Sequence, residues 1–243
     1  MKIAKRIIRI FSGILIFCLI FCAISVIAID YVDNDKRDKI IGNTKAENDL
    51  FYFIDENTST DTRLQMRVYY NTLPPNIKND LKEKDWVFVF SETIPEELLS
   101  KATDEANGNF GTLQGLTVST LKTIFIRVGP DAQGTEETFI HEVGHAIGCD
   151  MNYVYAKKEF IDIYKKDAAS YDCSEYAKSD ISEFFANGFK DYILQPDYLK
   201  NENARMYKFY EENVTGEFPD SSLKSKVVNS PIAVIRLFVS KIV

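Results

Sequence analysis

The chain has 243 residues and a net charge of −7, with 36 acidic residues against 29 basic ones. This length leaves room for one domain with a substantial hydrophobic core. The acidic excess excludes nucleic acid as a partner on grounds of charge.

The N-terminus combines a basic flank with a long apolar run. Residues 10–29 are apolar apart from a few small residues, and the basic residues before them are Lys2, Lys5, Arg6 and Arg9. A run of this length can cross a bilayer as a helix and exceeds most signal-peptide cores. A basic flank stays on the cytoplasmic side, so the rest of the chain is expected outside. We predict a signal-anchor over residues 1–29, with cleavage after Ala28 and secretion as the alternative.

The rest of the chain divides into three parts by composition. Residues 30–60 are polar and rich in Asp, Asn, Lys and Thr, which predicts a juxtamembrane linker. Residues 61–218 are predicted to form the folded domain, and residues 219–243 a C-terminal tail. The tail ends in the apolar stretch 231–243, which is too short to cross a membrane as a helix. This stretch either packs on its own domain or contacts a membrane surface or a partner.

The first half of the predicted domain mixes helices with a strand. Residues 86–90, with the sequence WVFVF, are typical of a strand, and prolines mark the neighbouring turns. Helices are predicted from composition over residues 62–71, 76–84 and 96–106.

Two further strands are predicted in the middle of the chain. Residues 113–117 and 123–127 are expected to pair, joined through residues 119–122. An edge strand can hold an extended peptide by adding a strand to the sheet. Gly111 and Gly115 would allow such a close approach, although glycine in a hairpin also serves as an ordinary turn residue.

The two histidines of the chain lie together in the motif HEVGH at residues 141–145. On a helix, positions i and i+4 share one face, so His141 and His145 can both bind one Zn²⁺ at about 2.0–2.1 Å. Glu142, the next residue along, can hold a water molecule that the metal acidifies. The alternative is a pair of unrelated surface histidines on an acidic helix.

Two helices would carry the metal ligands. The first is predicted from Thr138 to Gly148, and the second over residues 180–192, where apolar residues recur at three- and four-residue steps. Glu183 lies beside this apolar run, where a carboxylate is costly unless it is paired or bound to metal. It is the candidate third ligand, with an ordinary solvent-facing acid as the alternative. Two His and one Glu leave a fourth tetrahedral position open for water, as catalytic zinc sites do.

Tyr176 is a candidate catalytic residue because of its spacing. It precedes Glu183 by seven residues, and two helical turns would bring both side chains to nearly the same face. A phenol near the metal can donate a hydrogen bond to the oxyanion of a tetrahedral intermediate. The alternative is an ordinary packing tyrosine, because the chain has 13 of them.

The stretch from residue 157 to 190 resembles the catalytic domain of anthrax lethal factor and the small secreted Pro-Pro endopeptidases built on the same domain. The shared features are the HExxH motif at residues 141–145, ahead of this stretch, then a K-x-F-I-D-I-like helix and a tyrosine seven residues before E-F-F-A. The resemblance covers residues 61–213, with specific motifs only between His141 and Phe189. It implies an α+β, zincin-like metallopeptidase fold, mostly helical with a small sheet and an edge strand. It also implies zinc ligands at His141, His145 and Glu183, a general base at Glu142 and a transition-state hydroxyl at Tyr176.

The sequence departs from the lethal factor pattern E-F-F-A-E at its last position, which is Asn187. This residue lies one turn beyond Glu183, so we expect its amide to orient a ligand by a hydrogen bond to a histidine N–H. Because the amide has no charge, weaker tuning of the site is expected. Ser182 directly precedes the third ligand, where it is placed to influence substrate choice.

Two cysteines, Cys149 and Cys173, lie after the apolar N-terminal segment. A disulfide between them would tie the end of the histidine helix to the loop before Tyr176, and the oxidising side of a membrane permits it. Free thiols are an equal alternative. Neither cysteine is expected to bind the metal, because two histidines and a glutamate already supply the protein ligands.

The residues and the resemblance together predict a zinc metalloendopeptidase with one Zn²⁺ per chain. Its substrates would be proteins or peptides at the extracellular face of the membrane, cleaved at proline-containing bonds, and it would act as a monomer. One alternative is a catalytically idle zincin domain that binds surface proteins. Another is a zinc amidase that acts on cell-wall peptides.

Overall fold

The computed structural model describes residues 35–98, 113–130, 132, 135–150 and 154–216. The predicted signal-anchor at residues 1–29 and the tail at residues 219–243 lie outside the described residues. Among the residues that are described, no helix is both long and apolar enough to cross a bilayer.

The described chain is mostly helical and has a small sheet, so the predicted α+β architecture is confirmed. The strands are β1 (Phe51–Phe53), β2 (Val87–Ser91), β3 (Gly115–Val118) and β4 (Thr123–Arg127). The helices that follow β1 are α1 (Thr60–Thr72), α2 (Pro75–Glu83), α3 (Thr135–Asp150), α4 (Lys158–Asp167), α5 (Glu175–Ser179), α6 (Ile181–Leu194), α7 (Pro196–Glu202) and α8 (Ala204–Tyr210).

The sheet has the order β1-β2-β4-β3. Strands β1, β2 and β4 are parallel, whereas β3 pairs antiparallel with β4 and forms the edge, with Thr117 opposite Ile124. A short 3₁₀ turn at Ser119–Leu121 joins β3 to β4, and Lys122 completes the connection with a φ of 48°. The predicted pairing of these two strands is confirmed. Strand β3 begins at Gly115 and ends at Val118, slightly later in the chain than the predicted range 113–117.

Alternation along the strands separates two hydrophobic layers. One layer joins the sheet to the helices, and several of its phenylalanine rings stack: the ring centroids of Phe88 and Phe139 are 4.9 Å apart and the ring planes are nearly parallel. Because Phe139 lies on α3, this stacking sets α3 directly against the sheet. The opposite layer is smaller and consists of Ile40, Val89, Leu98, Leu116, Val118, Leu121 and Phe125.

The C-terminal end of α3 is tied to the sheet by Asp150. Its carboxylate accepts hydrogen bonds from the indole N–H of Trp86 and from the ammonium of Lys122, which also lies 5.0 Å from the centroid of the Trp86 ring. The predicted helix end at Gly148 is therefore wrong, because the helix continues to Asp150. Its start is also earlier than predicted, at Thr135.

Helix α6 crosses α3 at close range. A Cβ atom placed on Gly144 of α3 would lie 2.9 Å from the Cα atom of Ala186 on α6, so only glycine fits at this contact. On its other side α6 packs against α4, with the rings of Phe160 and Phe185 5.2 Å apart. Helix α6 is apolar over most of its surface because helices cover it on both sides.

The polar segment 30–60 is more than a linker. Within it, Phe51, Tyr52 and Phe53 form β1, which pairs in parallel with Phe88, Val89 and Phe90 of β2. Phe51 and Phe53 are buried in the large core. The predicted domain start at residue 61 is thus wrong, because a strand of only three residues in polar surroundings gives too little periodic signal.

The remaining predicted elements are found close to their expected bounds. Helices α1 and α2 match the predicted helices 62–71 and 76–84, and β2 is displaced by one residue from the prediction 86–90. Of the predicted helix 96–106, the structure describes only a 3₁₀ turn at Glu96–Leu98, and the rest lies outside the described residues.

Candidate active site

Helix α3 presents both histidines to the same cleft. The Nε2 atoms of His141 and His145 are 3.1 Å apart, and their rings meet edge to face with centroids 4.8 Å apart. This arrangement follows from the i, i+4 spacing on a helix whose opposite face, including Phe139 and Val143, is buried in the core. The sequence spacing thus translates directly into two converging nitrogen atoms.

Helix α6 brings Glu183 to these nitrogens from a distant part of the sequence. Its Oε2 lies 3.2 Å from Nε2 of His141, and its Oε1 lies 3.3 Å from Nε2 of His145. Two ligands that each lie about 2.0–2.1 Å from one tetrahedral zinc are about 3.3–3.4 Å apart. The three predicted ligands are therefore brought together at separations that fit a zinc ion with one open position.

The electrostatics of Glu183 are consistent with its closeness to two imidazoles. Burial raises its pKa, but hydrogen bonds and charge attraction from His141 and His145 outweigh burial, and the pKa lies well below its ordinary range. The side chain is thus a carboxylate at neutral pH, which is the form that binds metal. The sequence-based inference that this acid would be costly without a partner agrees with its 8% exposure.

Glu142 lies against strand β3 rather than in open solvent. The hydroxyl of Thr117 is 2.7 Å from its Oε2 and 2.9 Å from its backbone carbonyl oxygen. A Cβ atom on Gly115 would lie 2.7 Å from Cγ and 2.8 Å from Oε1 of Glu142. The absence of a side chain at Gly115 therefore makes room for the carboxylate of Glu142, whereas the close approach of a substrate backbone at this glycine stays a prediction.

Tyr176 borders the same cleft, but for a different reason from the one predicted. It lies on α5, and Asp180, with φ −141° and ψ 150°, separates α5 from α6. The argument from two turns of one continuous helix is therefore wrong, since an extended residue interrupts the periodicity between Tyr176 and Glu183. Tyr176 is 54% exposed and lines the cleft together with both histidines.

The cleft has a volume of about 600 Å³ and includes the candidate metal ligands. One border is the edge strand β3 with the residues just before it, Leu113 and Gln114. Within the described residues β3 pairs only with β4, and its other edge is turned toward the cleft. This is the position in which an extended peptide adds to a sheet. The second glycine considered in that role, Gly111, lies outside the described residues.

Asn187 lines the cleft one turn beyond Glu183, but its polar atoms bind other partners than predicted. Its carbonyl oxygen, the atom that a histidine N–H would need, accepts a hydrogen bond from Lys190 at 3.1 Å. Its amide nitrogen donates to Asp191 at 3.2 Å. Asp191 also accepts a 2.6 Å bond from Tyr171, whose pKa is raised by burial and by this carboxylate.

Ser182 is the second residue of α6 and lines the cleft beside Glu183. Its backbone N–H and its hydroxyl both bond to the carboxylate of Asp180, the N-cap of α6. Ser182 thus lies at the cleft, as a residue that influences substrate choice must, but its hydroxyl is directed to the helix cap.

Cys149 and Cys173 are free thiols in this structure, so of the two alternatives, a disulfide or free thiols, the structure has the free thiols. Burial raises the pKa of Cys149, and the nearby carboxylate of Asp150 adds to the shift. Burial likewise raises the pKa of Cys173. Neither belongs to the converging group of His141, His145 and Glu183.

A known family matches the part of the chain that builds this cleft. The family described as "Anthrax toxin lethal factor, N- and C-terminal domain" matches residues 115–213, from the first residue of β3 to the helical turn after α8. The resemblance to the lethal factor family is confirmed. The region that matches the lethal factor family contains α3, α5 and α6, the helices that carry the candidate metal ligands and Tyr176. No curated protein matches the chain.

A solved structure shares the fold. The chain is similar to a Pro-Pro endopeptidase from Paenibacillus alvei, with a TM-score of 0.56 and 20% sequence identity. The similarity covers 73% of this chain and 98% of that one. The fold of this chain is thus shared with that protein over nearly all of that protein's length.

Several residues that shape the site were not found from the sequence. Thr117 has no sequence signal, because its contact with Glu142 depends on how β3 lies against α3. Gly144 does have one: glycine inside a helix costs stability, so its presence between two candidate ligands indicates a close packing contact. That contact is the crossing with Ala186.

Proposed function

We propose that this protein is a zinc-dependent metalloendopeptidase. The observation that carries the proposal is the convergence of His141, His145 and Glu183 beside the carboxylate of Glu142, in a cleft bordered by an edge strand. The match to the lethal factor family and the fold shared with a Pro-Pro endopeptidase support it.

Each side chain of the cleft has a separate task in this proposal. His141, His145 and Glu183 would hold one Zn²⁺ per chain, and the metal would polarise the scissile carbonyl and acidify a water molecule. Glu142 takes the proton of that water and passes it to the leaving amine. The hydroxyl of Tyr176 donates a hydrogen bond to the oxyanion that develops on the carbonyl oxygen.

The substrate in this proposal is an extended segment of a protein or peptide. Strand β3 offers it a row of backbone groups at the border of the cleft, so the main chain would be bound largely independently of sequence. The proposal of a proline-containing cleavage site is taken from the Paenibacillus alvei relative, which is a Pro-Pro endopeptidase. Ser182, next to the third ligand, is positioned to contribute to the choice of side chain.

We place the domain at the extracellular face of the membrane, either anchored through residues 1–29 or released after cleavage. The basic flank and the apolar run of the N-terminus support this location. The catalytic domain is proposed to act as a monomer, because all the residues assigned above come from one chain.

The test is a screen of the purified protein against a library of proline-rich peptides, with Glu142→Gln as the blank. The wild type is expected to cleave in a zinc-dependent manner, and Glu142→Gln to keep its zinc while turnover falls by several orders of magnitude. A wild-type protein that binds zinc but cleaves no peptide would favour an idle binding domain. Cleavage of muropeptides alone would favour a cell-wall amidase.

A further inference from the structure

The carboxylate of Glu142 has a hydroxyl partner on the neighbouring strand. Thr117 lies 25 residues earlier in the chain, and its Oγ1 is 2.7 Å from Oε2 of Glu142. Side chains alternate along β3, so Leu116 and Val118 join the small hydrophobic layer on the far side of the sheet. Thr117 consequently faces α3, and its hydroxyl meets Glu142 within the cleft.

Gly115 lies on the same side of β3 as Thr117, two residues earlier. Its missing side chain leaves the space that the Cγ and Oε1 atoms of Glu142 occupy, since a Cβ atom there would come within 2.8 Å of both. Strand β3 thus supplies an open space for one end of the carboxylate and a hydroxyl donor for the other. Glu142 is 7% exposed, so solvent has little access to replace this donor.

We propose that Thr117 is a positioning residue for Glu142. Its hydroxyl holds Oε2, which fixes the orientation of a side chain with several rotatable bonds and leaves the second carboxylate oxygen available to the attacking water. Preorganisation of this kind lowers the barrier because no reorientation is needed during the chemical step. This role rests on the proposed function of Glu142 as the general base.

A purely structural role for Thr117 is the competing explanation. Its hydroxyl also lies 2.9 Å from the carbonyl oxygen of Glu142, a contact that would simply tie β3 to α3. The two explanations differ in what a substitution changes. A positioning role affects the chemical step, whereas a tie between β3 and α3 affects stability, zinc content or substrate binding.

The experiment measures kcat, KM, zinc content and Tm of the wild type, Thr117→Val and Thr117→Ser. Thr117→Val removes the hydroxyl at nearly constant volume, and kcat should fall about tenfold to a hundredfold, the range expected for one hydrogen bond to a charged group. KM and zinc content should stay at wild-type values. Thr117→Ser keeps a hydroxyl and should recover most of kcat.

Thr123→Val is the matched control. Thr123 lies on the adjacent strand β4, is fully buried, and donates its hydroxyl to the carbonyl of Leu121 at 3.0 Å. Its substitution removes a hydroxyl–carbonyl hydrogen bond at the turn between β3 and β4 without touching Glu142, so Tm should fall while kcat stays near the wild-type value. If Thr117→Val does not fold, Thr117→Ala removes the same hydroxyl without added bulk and should show the same loss of kcat.

Several outcomes would overturn the role of Thr117. A wild-type kcat in Thr117→Val, an equal loss in Thr123→Val, or a serine variant no better than valine would each exclude positioning while leaving the peptidase intact. A loss of zinc or a change in KM alone would assign Thr117 to the structure or to substrate binding. A wild-type protein without zinc-dependent cleavage would overturn the proposed function, and with it this role.

Discussion

The candidate metal-binding part of the cleft and the rim of the cleft differ in how firmly the protein holds their proposed functional side chains. Glu142 and Glu183 are 7% and 8% exposed, and they lie on α3 and α6, which cross inside the core. Tyr176, in contrast, is 54% exposed and lies on α5, a helix of only five residues. The ligand geometry is therefore set by core packing, whereas the tyrosine hydroxyl depends on a short surface helix.

This difference matches what each group has to do. Metal ligands must keep their separations whether or not substrate is present, because a displacement of a few tenths of an ångström weakens zinc binding. A donor to the oxyanion is needed only while the substrate reacts, so it can be held at an exposed position. Substitutions in the candidate metal-binding part should therefore lower zinc content, whereas substitutions at the rim should lower kcat alone.

Removal of a metal ligand is expected to have the largest effect. His145→Ala and Glu183→Ala should each lose most of the bound zinc and all measurable turnover, because only two protein ligands remain. Elemental analysis of the purified variants measures the zinc, and circular dichroism checks that the fold is kept. Glu137→Ala is the control, since Glu137 lines the same cleft but lies outside the converging group, and it should keep one zinc per chain. Wild-type zinc content in both ligand variants would contradict the assignment.

Removal of the Tyr176 hydroxyl should have a smaller effect, and one that is confined to kcat. Tyr176→Phe should lower kcat by about 10²–10³, the usual cost of one oxyanion donor, with little change in KM or zinc content. Steady-state kinetics on a cleaved peptide measures this split. An unchanged kcat would return Tyr176 to the ordinary surface tyrosines.

Tyr164→Phe is the matched control for this loss. The Tyr164 hydroxyl donates a 2.8 Å hydrogen bond to the carbonyl of Lys178, two residues after Tyr176 on α5. Its removal should loosen α5 without deleting the proposed oxyanion donor, so kcat should stay within about tenfold of the wild type. A loss as large as that of Tyr176→Phe would mean that α5 packing, rather than the Tyr176 hydroxyl, controls the rate.

A substitution where α3 and α6 cross should have the smallest effect, and it should alter stability and zinc binding without touching Tyr176. Gly144→Ala places a methyl group 2.9 Å from the backbone of Ala186, so α6 must move away from α3. Overpacking costs about 1–3 kcal/mol, and the better helix propensity of alanine offsets up to about 1 kcal/mol of it. A net destabilisation of about 1–2 kcal/mol and weaker zinc binding are expected, measured by urea unfolding and by chelator competition.

Gly148→Ala on the same helix is the comparison for this change. Its added methyl group would meet the ring of Tyr155 at 3.0 Å and the ring of Phe185 on α6 at 3.3 Å, and these side chains can yield where a helix backbone cannot. Zinc affinity should stay at the wild-type value in Gly148→Ala. Equal loss of zinc affinity in both variants would show that the crossing at Gly144 has no special part in placing Glu183.

The helical parts of the site could be predicted from local sequence because, in a helix, the spacing of residues along the chain fixes which side chains point to the same face. The i, i+4 separation of His141 and His145 is enough to place two nitrogens together. The apolar pattern around Glu183 marks a buried helix that carries a costly acid. Tyr176 shows the limit of this argument, since Asp180 interrupts the helix and spacing along the chain no longer gives a common face.

The strand β1 and the start of the domain could not be predicted for a similar reason. Phe51–Phe53 is too short to show a period, and its stability comes from parallel pairing with β2, which lies far along the chain. The predicted hydrogen bond between Asn187 and a histidine was wrong because it too depended on tertiary packing. Lys190 and Asp191 lie within one turn of it, but which of its neighbours it would bind depended on how α6 packs.

The sequence by itself determined the candidate zinc chemistry, because His141 and His145 share one face of a helix and Glu142 directly follows His141, so no other element is needed to bring the three residues together. Only the tertiary structure decided what surrounds that chemistry. Gly144 admits α6 and so places Glu183, and the edge position of β3 brings Thr117 to the carboxylate of Glu142. These contacts join residues far apart in the chain, and their geometry depends on helix crossing and strand order, which no local period encodes.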